Sequence, residues 1–179
     1  MSNLPIQTKR LCIRRFTPAD GTDFSEILTD PEVCFYEPFE TFTHQAALIE
    51  AEKLAEDGSF YAVELMSERK LIGKLYLKDL EFFGAHELGY TFHRKYWGKG
   101  YAAEAASALA AYAFDTLGVR RITAEVDVRN QRSIRLLQRL GMRREGTFLK
   151  SAAFKTDAQG EPVWSDYHTY ALLREEYRK

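Results

Sequence analysis

Cysteine is scarce: Cys12 and Cys34 are the two in 179 residues. Two thiols cannot build a disulfide framework, and they lack the paired spacing of a thiolate metal site. The four histidines, His44, His86, His93 and His168, show neither metal-ligand nor nucleophile-partner spacing, so no metal is expected. Proline is also scarce, with five scattered residues, and no Pro/Gly/Ser-rich stretch reads as a linker. With no repeats and no low-complexity tract, a single domain over residues 1–179 is expected. Neither charge is in excess: 25 Lys+Arg against 26 Asp+Glu leave a net −1. Such a chain lacks the global basic field that draws a protein to nucleic acid. Long apolar runs are missing too. The most apolar stretch, Ala105 to Phe114, is mostly alanine and falls short of the ~20 residues a bilayer-spanning helix needs. Met1 to Arg10 contain no apolar signal segment. These absences set the expectation of a cytoplasmic protein with no nucleic-acid or membrane partner. A hydrophobic fraction of 45% excludes general disorder. At this size about 70% of the unfolded surface can be buried.

The patterning is mixed α/β. Leu11, Ile13 and Arg14–Phe16 read as a strand. Asp20 is placed to cap a helix running to Thr29, which Pro31 stops. Thr43 opens a second helix with Ala47, Leu48, Ala51, Leu54 and Ala55 on one face, ended by Gly58. Phe60–Met66 and Leu71–Leu80 alternate like strands around the polar turn Glu68–Lys70, which predicts a hairpin. Leu88–His93 is a further strand, entered after the Phe83–Ala85 turn. From Tyr101 to Leu117, apolar residues recur at helical spacing, with Gly118 placed to end the helix. Arg121–Val128 is β-branched and strand-like. Asn130 is placed to cap a short helix through Leu140. Two strands, about Met142–Lys150 and Val163–Leu173, close the chain. The helix between Leu88–His93 and Arg121–Val128 makes that pair parallel, because a crossover helix is what a parallel connection needs.

The most informative stretch is Arg94–Lys95–Tyr96–Trp97–Gly98–Lys99–Gly100–Tyr101–Ala102, which leaves a strand and opens a helix. Two glycines let the backbone turn tightly with its N–H groups uncovered. Those donors and the positive end of the helix dipole suit a phosphate or diphosphate, and Arg94, Lys95 and Lys99 add charge around it. A plain strand-to-helix turn with solvated lysines is the bland alternative. From Gly98 to Ala103 the turn also fits G-x-G-x-x-A, with Asp127 ending the next strand. An NAD(P)-binding oxidoreductase is therefore a rival. Against it stand the polar residues of the preceding strand, the bulky Tyr96–Trp97 before the first glycine, and the lack of a further parallel β-α-β unit.

Lys95-x-x-Gly98-x-Gly100, followed by Tyr101–Ala102–Ala103–Glu104, resembles the acetyl-CoA diphosphate loop of the GNAT superfamily of N-acetyltransferases. The Trp97–Ala102 run resembles its Rim-type branch, which acetylates N-termini of ribosomal proteins. Three more segments agree with that branch: Thr8–Leu11 with Pro18–Asp20, Asn130-x-x-Ser133 with Leu140–Gly141–Met142, and Asp166 through Tyr177. The resemblance implies a mixed, mostly antiparallel central sheet flanked by helices and splayed between the two parallel strands. It implies acetyl-CoA as acetyl donor and a primary amine as acceptor, possibly a protein N-terminus, in a monomer or homodimer. Tyr90 and Phe92 would line the acyl arm, and Gly89 would mark either a bulge that starts the splay or a close-packed backbone. A CoA-binding module without turnover is the non-enzymatic alternative.

Acetyl transfer asks for few groups. The amine must be neutral: at pH 7, deprotonating an α-amine costs about 1 kcal/mol and a lysine about 4.6 kcal/mol. One carboxylate or a water can serve as base, and Glu87 on the cofactor strand is the candidate; a solvated strand-edge glutamate is its plain alternative. The thiolate leaving group benefits from a hydroxyl donor. Ser133 matches a family serine placed near the cofactor sulfur, or is simply a helix-start serine. Leu137 holds the position where many relatives carry a catalytic tyrosine. Asn130 fits both a cofactor contact and an ordinary N-cap. Glu104 suits the positive end of its helix. Phe35, Tyr36, Phe39 and Phe42, interleaved with Glu32, Glu37 and Glu40, would either wall an acidic amine pocket or pack beneath a loop. The Lys155–Trp164 loop would close over the substrate.

Overall fold

A computed structural model of the protein describes residues 4–81 and 84–177. Eight strands form one sheet in the order β1-β2-β3-β4-β5-β6-β8-β7. They are β1 (Ile6–Gln7), β2 (Leu11–Arg14), β3 (Phe60–Leu65), β4 (Lys70–Asp79), β5 (Ala85–Phe92), β6 (Arg121–Asp127), β7 (Arg143–Ala152) and β8 (Ser165–Leu173). The helices are α1 (Gly21–Leu28), α2 (Pro31–Cys34), α3 (His44–Glu56), α4 (Tyr101–Asp115), α5 (Gln131–Arg139) and α6 (Arg174–Tyr177). All strand pairs are antiparallel except β5–β6. The expected β3–β4 hairpin and the parallel pair are both present.

Several boundaries differ from the sequence reading. β5 opens at Ala85 rather than Leu88, because Ala85, His86 and Glu87 pair with β6. The Phe83 end of the turn before it lies outside the described residues. Pro31 ends one helix and also opens α2, whose N-cap Asp30 accepts from Glu32 N at 3.0 Å. Proline is tolerated at that position because its missing N–H would be unpaired anyway. β1 and α6 are too short to show a period. β8 inserts between β6 and β7, an order that local patterning does not encode.

The sheet separates two apolar layers. On one face, Ala105, Ala106, Leu109, Ala110 and Ala113 of α4 pack against Ile72, Leu75, Leu88 and Ile122. The small alanines let this helix lie close to the strands. On the other face, Phe24, Ile27 and Leu28 of α1 meet Ala47, Ala51 and Leu54 of α3 over Ala62 and Leu71. The second layer stops at β4, so the far half of that face, from β5 to β8, is left for polar side chains.

Asp20 does not cap α1 in the forward direction. Its carboxylate reaches back to Thr17 N at 2.7 Å and receives two bonds from the Arg14 guanidinium, at 2.7 and 2.9 Å. This joins β2 to α1 at a residue only 6% exposed. Burial alone would raise the Asp20 pKa, but Arg14 and Thr17 outweigh it and hold the carboxyl below its usual range. A depressed folded pKa stabilises the fold above the ordinary carboxylate range, and the effect is lost as pH falls through the folded value. Asp20→Asn should therefore cost about 2 kcal/mol at pH 7. The gap to wild type should narrow below about pH 4. Urea unfolding at both pH values reads this out.

Candidate active site

β5 and β6 pair at three positions, Ala85–Arg121, His86–Ile122 and Glu87–Thr123. Past Glu87 the two strands show no further pairing among the described residues. The backbone of Leu88–Phe92 therefore presents a free edge to the gap. Gly89 is not a bulge: its pairing with Tyr76 is regular. The Tyr76 ring lies over it, and a Cβ there would sit 1.9 Å from a ring carbon.

The gap opens into a cavity of about 800 Å³. Its walls come from four places in the chain. The α2 region supplies Glu32, Phe35, Tyr36 and Glu37; β5 supplies Tyr90, Thr91 and Phe92. The glycine turn and the start of α4 supply Trp97, Gly98, Gly100, Tyr101 and Ala102. The start and exposed face of α5 supply Asn130, Arg132, Ser133, Arg135 and Arg139.

Two glycines shape the turn. Gly98 and Gly100 have φ of +76° and +80°, and Gly100 is the N-cap of α4. Such angles cost little for glycine and much for residues with a Cβ. They leave the first N–H groups of the helix open, as anion binding requires. Trp97 pins the turn to the end of β5 by donating from Nε1 to Phe92 O at 2.8 Å. Arg10 braces it from behind. The Arg10 guanidinium donates to Lys99 O at 3.0 Å and to Glu104 at 2.7 Å, and it stacks 4.2 Å from the Tyr101 ring centroid. Glu104, which also accepts from Thr8, is thus a strut between the β1–β2 turn and α4. His93 accepts from Lys95 N and faces Glu26, so it caps the short helical turn Arg94–Tyr96.

Not every expected group reaches the cavity. Arg94 donates to Asp30 at 2.7 Å instead, and Arg94, Lys95 and Lys99 are not among the lining residues. The positive charge comes from Arg129, which is paired with Asp127, and from Arg132, Arg135 and Arg139, which sequence reasoning missed. Their i, i+3, i+7 spacing puts them on one helical face, a signal that reads equally as a solvated surface. Arg132 stacks 3.7 Å from the Trp97 ring centroid. The dinucleotide reading also fails here. Asp127 is buried and held by Arg129 at 2.9 Å, so it is not free for a ribose hydroxyl. The β5-α4-β6 unit is followed by antiparallel β8 rather than a second parallel one.

At the deep end, the Tyr90 phenol and the Ser133 hydroxyl lie 2.6 Å apart. Burial pushes the Tyr90 phenol well above its usual range, so it stays protonated. Asn130 Oδ1 accepts from Ser133 N at 3.1 Å, confirming its N-cap geometry while leaving it in the cavity wall. Leu137 is buried in the core. Phe92 is buried against Gly73 and touches the cavity.

A glycine turn with open helix N–H groups at one end, a free strand edge along the side and a hydroxyl pair at the other end fit the expected acetyltransferase. Residues 10–143 match the Acetyltransferase (GNAT) domain. The chain belongs to the GNAT acetyltransferase family. It is similar to the uncharacterized N-acetyltransferase YnaD of Bacillus subtilis, with 37% identity over 175 residues, 96% of this chain and 98% of that one. A GNAT acetyltransferase structure from Bacillus anthracis has 33% identity and a TM-score of 0.87, covering 96% and 99% of the two chains. The ribosomal-protein-S5-alanine acetyltransferase of Vibrio fischeri, at 20% identity, shares the fold with a TM-score of 0.76 over 97% and 98% of the chains. The fold is thus the expected GNAT sheet, and the chain is an N-acetyltransferase of a family that uses acetyl-CoA and acts on amines. No helix among the described residues is long and apolar enough to cross a membrane.

The α2 region forms the remaining wall of the cavity. Of the aromatics expected there, Phe35 and Tyr36 line the cavity, while Phe39 and Phe42 stack on each other against the second core layer. Glu87 is not among the lining residues. It is hydrogen-bonded by Tyr76 and faces Glu125; burial first, then that like charge, raises its carboxyl pKa. From the Lys155–Trp164 loop, Lys155 Nζ donates to Cys34 O and Phe35 O at 3.0 and 2.9 Å.

Proposed function

We propose that the enzyme moves an acetyl group from acetyl-CoA to a primary amine, either a protein N-terminal α-amine or a small-molecule amine, by direct transfer in a ternary complex. The observation that carries this is the continuity of one cavity from the Gly98–Ala102 turn to the Tyr90–Ser133 pair, beside the unpaired edge of β5. Main-chain N–H groups of the turn would hold the diphosphate, with Arg132, Arg135 and Arg139 supplying positive charge around it. The free edge of Leu88–Phe92 can pair with an extended amide-bearing arm as an added strand would. It can also stabilise an oxyanion on the thioester carbonyl. Ser133 would protonate the departing thiolate. Glu87 and Glu125 would add negative charge that draws in an ammonium group. Cys12 and Cys34 are not among the lining residues, which supports transfer without a covalent acyl-enzyme.

Thermal unfolding separates this from the oxidoreductase reading. At ~100 times its Kd a ligand stabilises by about 2.7 kcal/mol, roughly 5–11 °C in Tm at this size. Acetyl-CoA should raise Tm and NAD(P) should not; the reverse would refute the proposal. Thiol release across an amine panel then tests turnover, and binding without release would identify a catalytically silent module.

A further inference from the structure

Glu37 follows α2 on a segment tied at three points. The Tyr36 hydroxyl donates to Arg129 O at 3.4 Å, Lys155 holds the Cys34 and Phe35 carbonyls, and Glu37 Oε1 accepts from Thr91 Oγ1 at 3.0 Å. Thr91 is 5% exposed and follows Tyr90 on β5. The tethers therefore hold a carboxylate across the gap, in the wall of the cavity that also contains the Tyr90–Ser133 pair. Behind it lies Lys74, 8% exposed and paired in register with Thr91. Its ammonium stands over the rings of Phe39 and Phe60 at 5.5 and 5.6 Å. Glu37 shares the hydroxyl pair's cavity and Glu87 does not.

We propose that Glu37 is the general base that deprotonates the acceptor ammonium, an assignment that rests on the transfer reading above. The carboxylate takes one proton from R–NH3⁺ and passes it to solvent. The freed lone pair forms the C–N bond at the thioester carbon. The C–S bond then breaks, and the nitrogen's second proton ends on the thiolate through the Ser133 hydroxyl.

The groups facing Glu37 are Lys74 from β4, Lys155 from the β7–β8 loop, the phenols of Tyr76, Tyr90 and Tyr167, and the Cys34 thiol. Burial raises the carboxyl, and Lys74, the Thr91 hydroxyl and Lys155 pull it back without cancelling the rise. A base works deprotonated, so the rate holds above its pKa and is lost as pH falls through it. Because that pKa is raised, the loss begins at higher pH than for an ordinary carboxylate.

The test uses the full chain with Glu37→Gln, which keeps an acceptor for Thr91, and with Glu52→Gln on the exposed face of α3 as control. The acceptors are an alanine tripeptide and 1,4-diaminobutane, largely charged at neutral pH, and methoxyamine, which is uncharged there. Glu37→Gln should lower kcat/KM for the diamine roughly 100-fold and for methoxyamine less than about 3-fold. Acetyl-CoA affinity should stay unchanged. With the diamine, the variant's rate should keep climbing with pH where the wild-type rate has levelled. Equal losses for charged and uncharged amines, or no loss, would overturn the assignment while leaving the transfer reading intact. Absence of thiol release by wild type with every amine would overturn both.

Discussion

Gly98→Val should abolish measurable acetyl-CoA binding while leaving the protein folded. Gly98 has φ of +76°, a region that a β-branched residue occupies only under strain of about 1–3 kcal/mol. A Cβ at this position meets no heavy atom within 4 Å, so no clash within the protein opposes the substitution. The damage falls on the cavity, since Gly98 lines it. Valine would place methyl groups at the mouth of α4. To escape the strain it would also rotate the N–H groups away from a common focus. Binding by oriented main-chain donors has no side-chain substitute, so a loss of at least about 100-fold in Kd, or about 2.7 kcal/mol, is expected by calorimetry. Gly118→Ala provides the control. It has φ of +71°, also faces open space, and is not among the cavity-lining residues. It should lower Tm and leave acetyl-CoA affinity alone. Unchanged affinity in Gly98→Val would mean that the turn does not hold the diphosphate.

The parts of this site that are legible in sequence are the local ones. Gly98 and Gly100 declare their angles because few other residues accept them. The alanine face of α4 repeats at helical spacing, and Asn130 reads as the cap of α5. The parallel β5–β6 pair follows from the crossover helix between them. What the sequence conceals is which side chains meet across the gap. Tyr90 and Ser133 are 43 residues apart, and Glu37 and Thr91 are 54 apart. Neither pair has a local pattern. Arg132, Arg135 and Arg139 do repeat locally, but a cavity-facing row and a water-facing row of arginines look alike until the neighbouring elements are placed. Arg94 shows the converse. It belongs to the most recognisable motif in the chain, yet Asp30 from the α2 cap takes its side chain away from the cavity. Motif membership placed its backbone correctly; its charge was placed by a partner 64 residues away.

Ser133→Ala should lower kcat by roughly 100-fold or more while acetyl-CoA affinity changes little, the signature of a group used in the transition state. The substitution is clean because the helix-capping role of this residue lies in its main chain. Ser133 N donates to Asn130 Oδ1, and alanine keeps that bond. What is lost is the hydroxyl, 2.6 Å from the Tyr90 phenol. A departing thiolate needs a proton, and this pair would be a short path to one, with a phenol kept protonated by burial standing behind the serine. Tyr90→Phe should therefore slow turnover by a smaller factor, since Ser133 can still be replenished by water. If the two hydroxyls act as one relay, the double variant should be no slower than Ser133→Ala alone. Multiplying losses would instead show two independent roles, as coupling measured by such a cycle distinguishes. A Ser133→Ala enzyme with wild-type kcat would remove the serine from the chemistry and leave Tyr90 or water as the proton donor.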